Sequence, residues 1–151
     1  MHIKTRKAFT ITELVFVIVV IGILSAIAIP KFQESAISAH DAKAKSQIIA
    51  VMSAVATERQ RRILRGDFTP ITDLGDATNA FNLMSPDRDG NQATVVQSSI
   101  SNCGSGEKGC WTRSGTSYIY TFVDSGTADF KLENSKLACD NDDADCNRLL
   151  R

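Results

Sequence analysis

The feature that most constrains this chain is an apolar run near its N-terminus. Residues Phe9 to Ile29 include Glu13 as the one ionisable side chain. As a helix, this run would cover roughly 30 Å, the thickness of bilayer hydrocarbon. Three lysine and arginine residues and no acidic residue precede it, which favours a cytoplasmic N-terminus and a remainder beyond the membrane. The sequence therefore predicts one membrane-spanning helix.

Three simpler interpretations of this run are a buried core helix, a cleaved secretory signal and a plain signal anchor. Ala26-Ile27-Ala28 fits the small-x-small pattern of a secretory cleavage site. Glu13 fits the signal and the anchor poorly, because a carboxylate inside an apolar span costs roughly 3 kcal/mol unless it is paired. Its presence indicates a specific partner.

The residues around the start of the run carry a family resemblance. Lys7-Ala8-Phe9-Thr10-Ile11-Thr12-Glu13, followed by the apolar run and Pro30, resembles the start of a type IV pilin or a type II secretion pseudopilin. The resemblance implies that a prepilin peptidase cuts between Ala8 and Phe9 and that Phe9 becomes N-methylated. Most members have glycine before the cut, and Ala8 keeps a small side chain there.

Cleavage before Phe9 would create an α-ammonium group four residues from Glu13. A charge pair attracts far more strongly in a low-dielectric setting than in water. If the ammonium belongs to a neighbouring subunit, Glu13 sets the register of assembly. The alternative is a pair with the ammonium of its own chain.

A long helix is predicted to continue beyond the membrane span. Apolar residues recur at steps of three and four through Phe32, Ile48, Val51, Val55 and Ile63, which indicates an amphipathic helix. Gly66 is its predicted C-cap. Pro30 removes a helical hydrogen bond and bends the axis. The resemblance implies a loss of helix between Gly22 and Pro30 in a filament, and the alternative is a gentle bend.

The predicted organisation has four parts. They are a leader (1–8), a transmembrane and assembly helix (9–30), an amphipathic helix (31–66) and a globular α+β head (67–151). Alternation in Ser117–Val123 and Thr127–Glu133 predicts an antiparallel hairpin, and Ala93–Ile100 is a further candidate strand. The predicted fold class is therefore α+β, with a long N-terminal helix packed on a small antiparallel sheet, as the resemblance also implies.

The head contains the four cysteines, Cys103, Cys110, Cys139 and Cys146. The C-x₂-C spacing typical of zinc sites is absent, and an exported head favours disulfides. Three connectivities exist. We favour Cys103–Cys110 and Cys139–Cys146, because both close short loops, and the second pair resembles the C-terminal disulfide loop of pilins.

Four acidic residues between the last two cysteines are weak calcium candidates: Asp140, Asp142, Asp143 and Asp145. Calcium takes oxygen ligands, and some pseudopilins bind it. Asp87–Asn91 is a second candidate, although its glycine is misplaced for an EF-hand loop. A solvated acidic surface is the favoured interpretation of both, so no firm metal site or other cofactor is predicted.

Charge is unevenly distributed along the chain. Residues 9–66 contain seven basic and four acidic residues, and residues 67–151 contain seven basic and thirteen acidic ones. Arg59, Arg61, Arg62 and Arg65 suit the negative end of the helix, and an alternative is contact with the acidic head of a neighbour. DNA binding is not expected, because no larger basic surface or aromatic interleaving accompanies them. His40 alone follows the leader, so no catalytic set is predicted.

The residues predict no enzyme, and the resemblance implies a structural subunit. The resemblance implies storage in the inner membrane, with the N-terminus cytoplasmic and the head periplasmic, followed by polymerisation into an extracellular pilus or a periplasmic pseudopilus. It implies as partners further copies, other pilins or pseudopilins, membrane lipid, the prepilin peptidase, the inner-membrane platform and the assembly ATPase. The alternative is a secreted or signal-anchored periplasmic binding domain without a filament role.

Overall fold

A computed structural model describes residues 9–139 and 145–150. The leader and three of the four calcium candidates, Asp140, Asp142 and Asp143, lie outside the described residues. The chain forms two compact units, Met1–Ala36 and Ile37–Arg151, which we describe separately. Helix α1, Ile11–Leu64, contributes to both.

The first unit is an apolar helix whose large side chains are exposed. Phe9, Phe16 and Phe32, for example, all face outward. An 18-residue window of α1 has a mean hydropathy of 2.7 and no buried residue, so this helix is long and apolar enough to cross a membrane. Gly22 and Pro30 both lie within α1. A loss of helix between them in a filament stays a prediction.

In the second unit, α1 buries one face. Ala44, Ile48, Val51 and Val55 follow one another at steps of four and three and are all buried, because residues at this spacing share a face of a helix. Gly66, with a φ of 72°, ends the helix in a Schellman motif. Its N–H donates to the carbonyl of Ile63 at 2.9 Å, as that motif requires.

Two antiparallel sheets face this helix. The larger contains β3 (Cys110–Ser114), β4 (Ser117–Thr121), β5 (Thr127–Glu133) and β6 (Lys136–Cys139) in sequential order. The smaller pairs β1 (Asn79–Phe81) with β2 (Ile100–Ser101). A short helix, α2 (Cys146–Leu150), follows β6. The predicted β4–β5 hairpin is confirmed, whereas most of the candidate strand Ala93–Ile100 is irregular and only Ile100 enters β2.

Aromatic side chains fill the space between helix and sheet. Phe81 stacks on Tyr118 with ring centroids 4.9 Å apart, and Trp111 packs against Tyr120 at 5.1 Å. The indole N–H of Trp111 donates to Oε1 of Gln47 on α1 at 3.0 Å. A long N-terminal helix therefore packs on small antiparallel sheets, and the predicted α+β fold class is confirmed.

Two disulfides join Cys103 to Cys110 and Cys139 to Cys146. This is the pairing that the short loops favoured. The first bond lies at the start of β3, and the second joins the end of β6 to the start of α2.

Candidate assembly site

Glu13 closes a capping box at the start of α1. Its Oε2 accepts hydrogen bonds from the backbone N–H and the hydroxyl of Thr10, both at 3.0 Å. The N–H of Glu13 donates in return to Oγ1 of Thr10 at 3.2 Å. Thr10 is thus the N-cap and Glu13 the third helical residue, and together they satisfy backbone donors that a helix leaves unpaired at this end.

The sequence interpretation missed the role of Thr10. A threonine followed three residues later by glutamate, just before an apolar run, is the signature of this cap. The sequence predicts an ammonium partner for Glu13 from its own or a neighbouring chain, and this stays a prediction. Among the described residues, its carboxylate accepts from the hydroxyl and the backbone N–H of Thr10. Within the described residues, the hydrogen bonds of the carboxylate use Oε2.

Of the predicted processing residues, Phe9 is described and Ala8 is not. The side chain of Phe9 is 81% exposed. It directly precedes the Thr10–Glu13 cap, so a new terminus at Phe9 would leave the cap intact. Cleavage and methylation at these residues stay predictions.

The exposed apolar surface of the first unit begins at the cap and continues along α1. Ile11, Leu14 and Phe16 are more than half exposed, as are most large side chains up to Phe32. Water-exposed apolar surfaces of this extent mark a membrane or protein interaction site. Apolar contacts alone do not fix how two helices align along their axes. An acidic group at the end of such a surface can fix this alignment by pairing with a charge on the other helix.

The arginines at the end of α1 serve the second unit itself. Arg59 donates to the carbonyls of Phe68 and Thr69, both at 3.2 Å. Arg62 is fully buried and donates to the carbonyl of Ser85 at 2.6 Å and to Oε1 of Glu58 at 3.1 Å. These bonds hold the segment after the helix against α1.

The calcium candidates are not tested by the described geometry. Asp145 is the one described member of the first set. In the second set, Asp87 accepts hydrogen bonds from the N–H groups of Asp89 at 3.0 Å and Asn91 at 2.8 Å, and from Arg65 at 3.1 Å. The N–H of Asn91 above all lowers the pKa of Asp87. Among residues 9–139 and 145–150, no three His, Cys, Asp or Glu side chains cluster to hold a metal ion.

An exposed apolar helix with a capped acidic first turn, followed by a helix packed on antiparallel strands, is a pilin-like arrangement. Two curated fimbrial proteins from Pseudomonas aeruginosa are similar to this chain, each 40% identical over 63 residues, or 42% of the chain. The match covers 38% of each relative, so this chain spans little more than a third of the length of the relatives it matches. No family model matches. No solved structure matches either. The fold and the similarity together support a pilin-like family.

Proposed function

We propose that this chain is a structural, non-enzymatic subunit of a bacterial pilus, assembled through the apolar part of α1. The observation that carries the proposal is the exposed apolar helix that begins with the Thr10–Glu13 cap and continues into a packed α+β unit. The similarity to fimbrial proteins supports a pilus in preference to a secretion pseudopilus.

Processing would convert the cap into a docking group. A cut between Ala8 and Phe9 by a prepilin peptidase leaves an ammonium on Phe9, which is then N-methylated. Oε2 of Glu13 stays with Thr10, and Oε1 accepts the ammonium of an adjacent copy. Because the surroundings are apolar, loss of either charge costs about 3–5 kcal/mol, the usual penalty for an unpaired buried charge.

The membrane would store the subunit before assembly. The basic residues ahead of the apolar run favour a cytoplasmic N-terminus, with the disulfide-bonded unit in the oxidising periplasm. Extraction into a fibre exchanges lipid contacts of α1 for contacts with other α1 helices. By the resemblance to type IV pilins, an inner-membrane platform and an assembly ATPase would drive this step.

N-terminal sequencing with intact mass measurement tests the proposal. We expect the mature chain to begin at methylated Phe9 and to be recovered in sheared filaments. A chain beginning at Ile29 would instead support a secreted periplasmic domain. An uncut chain beginning at Met1 would support a plain membrane anchor.

A further inference from the structure

The C-terminal helix carries an arginine that reaches two other parts of the second unit. Nε and Nη2 of Arg148 donate to Oδ2 of Asp41 on α1 at 2.9 and 2.6 Å. Nη1 donates to Oδ1 of Asp124, in the β4–β5 turn, at 3.1 Å. The guanidinium also lies 4.2 Å from the centre of the Phe122 ring. We call these four residues the Arg148 clasp.

The clasp is a strong set of contacts for a five-residue helix. Guanidinium–carboxylate bonds with several donors are charge-assisted and directional, and contact with an aromatic face adds to them. Arg148 is the main cause that lowers the pKa of Asp124. Leu149, the next residue, is fully buried. A helix this short has little stability of its own, so its position depends on such contacts.

Both cysteines of the second disulfide are held by contacts outside the bond. Cys139 ends β6, where it pairs with the fully buried Phe130 of β5. Cys146 begins α2, two residues before Arg148. Their Cα atoms lie 5.9 Å apart, within the range that a disulfide requires. The sheet therefore holds the strand that carries Cys139, and the clasp holds the helix that carries Cys146.

We propose that Arg148 is a positioning residue for closure of the Cys139–Cys146 disulfide, because it docks α2 so that the Cys146 thiol lies beside Cys139 before oxidation. The clasp contacts involve charged and aromatic side chains and no sulfur, so none of them requires the disulfide bond. Holding two reacting groups together raises their effective concentration.

The oxidant in this step is a disulfide, such as oxidised glutathione. One cysteine thiolate attacks it, forms a mixed disulfide and releases one glutathione. The second thiolate then attacks the cysteine sulfur of the mixed disulfide and releases the second glutathione. The chain loses two electrons and two protons, and both are recovered in the two glutathione thiols. The clasp acts on the second, intramolecular attack.

The experiment uses the full chain, reduced and then reoxidised in detergent with oxidised glutathione. Timed alkylation and peptide mass spectrometry give the closure rate of each cysteine pair separately. We expect Arg148→Gln to slow closure of Cys139–Cys146 by about tenfold. Closure of Cys103–Cys110 should keep its rate, so this rate serves as the internal control for closure of Cys139–Cys146 in the same chain. Arg88→Gln is the matched control, since the guanidinium of Arg88 is exposed and its ion pair among the described residues is with the neighbouring Asp89 at 3.6 Å.

Two further variants separate positioning from loss of folding. Arg148→Lys keeps the charge but not the forked donors, and Asp124→Asn removes one carboxylate of the clasp, so both should give intermediate rates. Equal slowing of both cysteine pairs would assign Arg148 a general role in stability and overturn the proposal. An unchanged Cys139–Cys146 rate in Arg148→Gln would overturn it as well.

Discussion

The carboxylate of Glu13 combines two tasks that substitution can separate. As a hydrogen-bond acceptor it caps α1 through Thr10, and as a charge it would dock the ammonium of another copy. Glutamine keeps an acceptor oxygen for the cap and removes the charge. Valine at position 10 keeps the side-chain shape and removes the hydroxyl.

We expect Glu13→Gln to leave the chain processed and inserted in the membrane but to abolish filaments, because the docking charge is lost. Thr10→Val should still form filaments, with helix stability reduced by about 1 kcal/mol, the usual cost of losing an N-cap. Electron microscopy and the amount of sheared filament measure assembly. Normal filaments from Glu13→Gln would show that the cap is the main role of the residue.

Asp67 is a buried carboxylate whose hydrogen bonds favour its ionised form. Its Oδ2 accepts the N–H of Arg88 at 3.0 Å and its Oδ1 accepts the N–H of Thr69 at 2.8 Å. These donors, Arg88 first, hold the pKa of the carboxyl far below its usual range. A lowered pKa stabilises the fold above the unfolded value of about 3.9, and this contribution is lost as the pH falls through the folded value.

Asp67→Asn should therefore lower the Tm clearly at pH 7 and by less at pH 2.5, because the wild-type contribution shrinks once the pH falls below the unfolded pKa of about 3.9. Thermal unfolding of the full chain in detergent between pH 7 and pH 2.5 measures the difference. Asp89→Asn is the control, because Asp89 is 64% exposed at its side chain. Equal losses of Tm for Asp67→Asn at both pH values would contradict the assignment.

At the residue scale, the sequence identified Glu13 because a charge in an apolar run is anomalous by composition alone. The role of Thr10 was not predicted, although its spacing to Glu13 is that of a capping box, because that role depends on the unpaired amides at the helix start and not on the charge. The partners of Asp67 were not predictable, because Arg88 is brought to it by the fold of a segment without regular structure.

At the element scale, helical periodicity located the buried face of α1 but not its limits. Ile48, Val51 and Val55 were predicted correctly and are buried, whereas Phe32 and Ile63 belong to the same pattern and are exposed. Glu58 and Arg62 extend the buried face and were not predicted as part of it. Their burial is tolerated because the two charges pair with each other at 3.1 Å. A pattern of apolar residues does not identify such a charged pair.

Ile48 and Ile49 provide a matched test of this face. Ile48 is fully buried and Ile49 is 49% exposed, and the two are adjacent in the same helix. Ile48→Ala should lower the free energy of unfolding of the full chain by about 2–5 kcal/mol, the range for buried isoleucine. Ile49→Ala should change it by less than about 1 kcal/mol. Denaturant unfolding in detergent gives both values, and similar losses would contradict the described packing.

The strands were predictable where they pair locally. β4 and β5 alternate cleanly and are joined by a short turn, so their pairing follows from nearby residues. β1 and β2 pair with each other across nearly twenty intervening residues, and no local sequence pattern predicts a pairing over that separation. The segment before β1 is held by side chains instead: Oδ1 of Asp73 accepts from Arg113 at 2.8 Å and from Tyr118 at 3.0 Å.

At the scale of the whole molecule, composition separated an apolar N-terminal part from an acidic C-terminal part. The boundary between the two compact units falls between Ala36 and Ile37, within the predicted amphipathic helix. The division into leader, transmembrane helix, amphipathic helix and head stays a prediction. Because the second unit has its own core of helix and sheet, its stability should not depend on what happens at the N-terminus. This independence allows processing and folding to be tested separately.

Blocking the cut before Phe9 should therefore stop assembly and leave the second unit unchanged. In an uncut chain the nitrogen of Phe9 belongs to a neutral amide, so no ammonium is available for Glu13. The leader, with three lysine and arginine residues, would also have to enter the apolar contact between helices. Ala8→Glu places a larger, charged residue at the cut. We expect this variant to remain uncut in the membrane, to form no filaments and to keep the wild-type Tm.

Mass spectrometry, filament yield and thermal unfolding of the same preparation measure these three properties. Wild-type chain purified in parallel is the control. Filaments built from uncut Ala8→Glu chains would show that polymerisation needs no terminal ammonium. In that case the apolar surface of α1 would be sufficient for assembly, and Glu13 would act as the cap of its own helix.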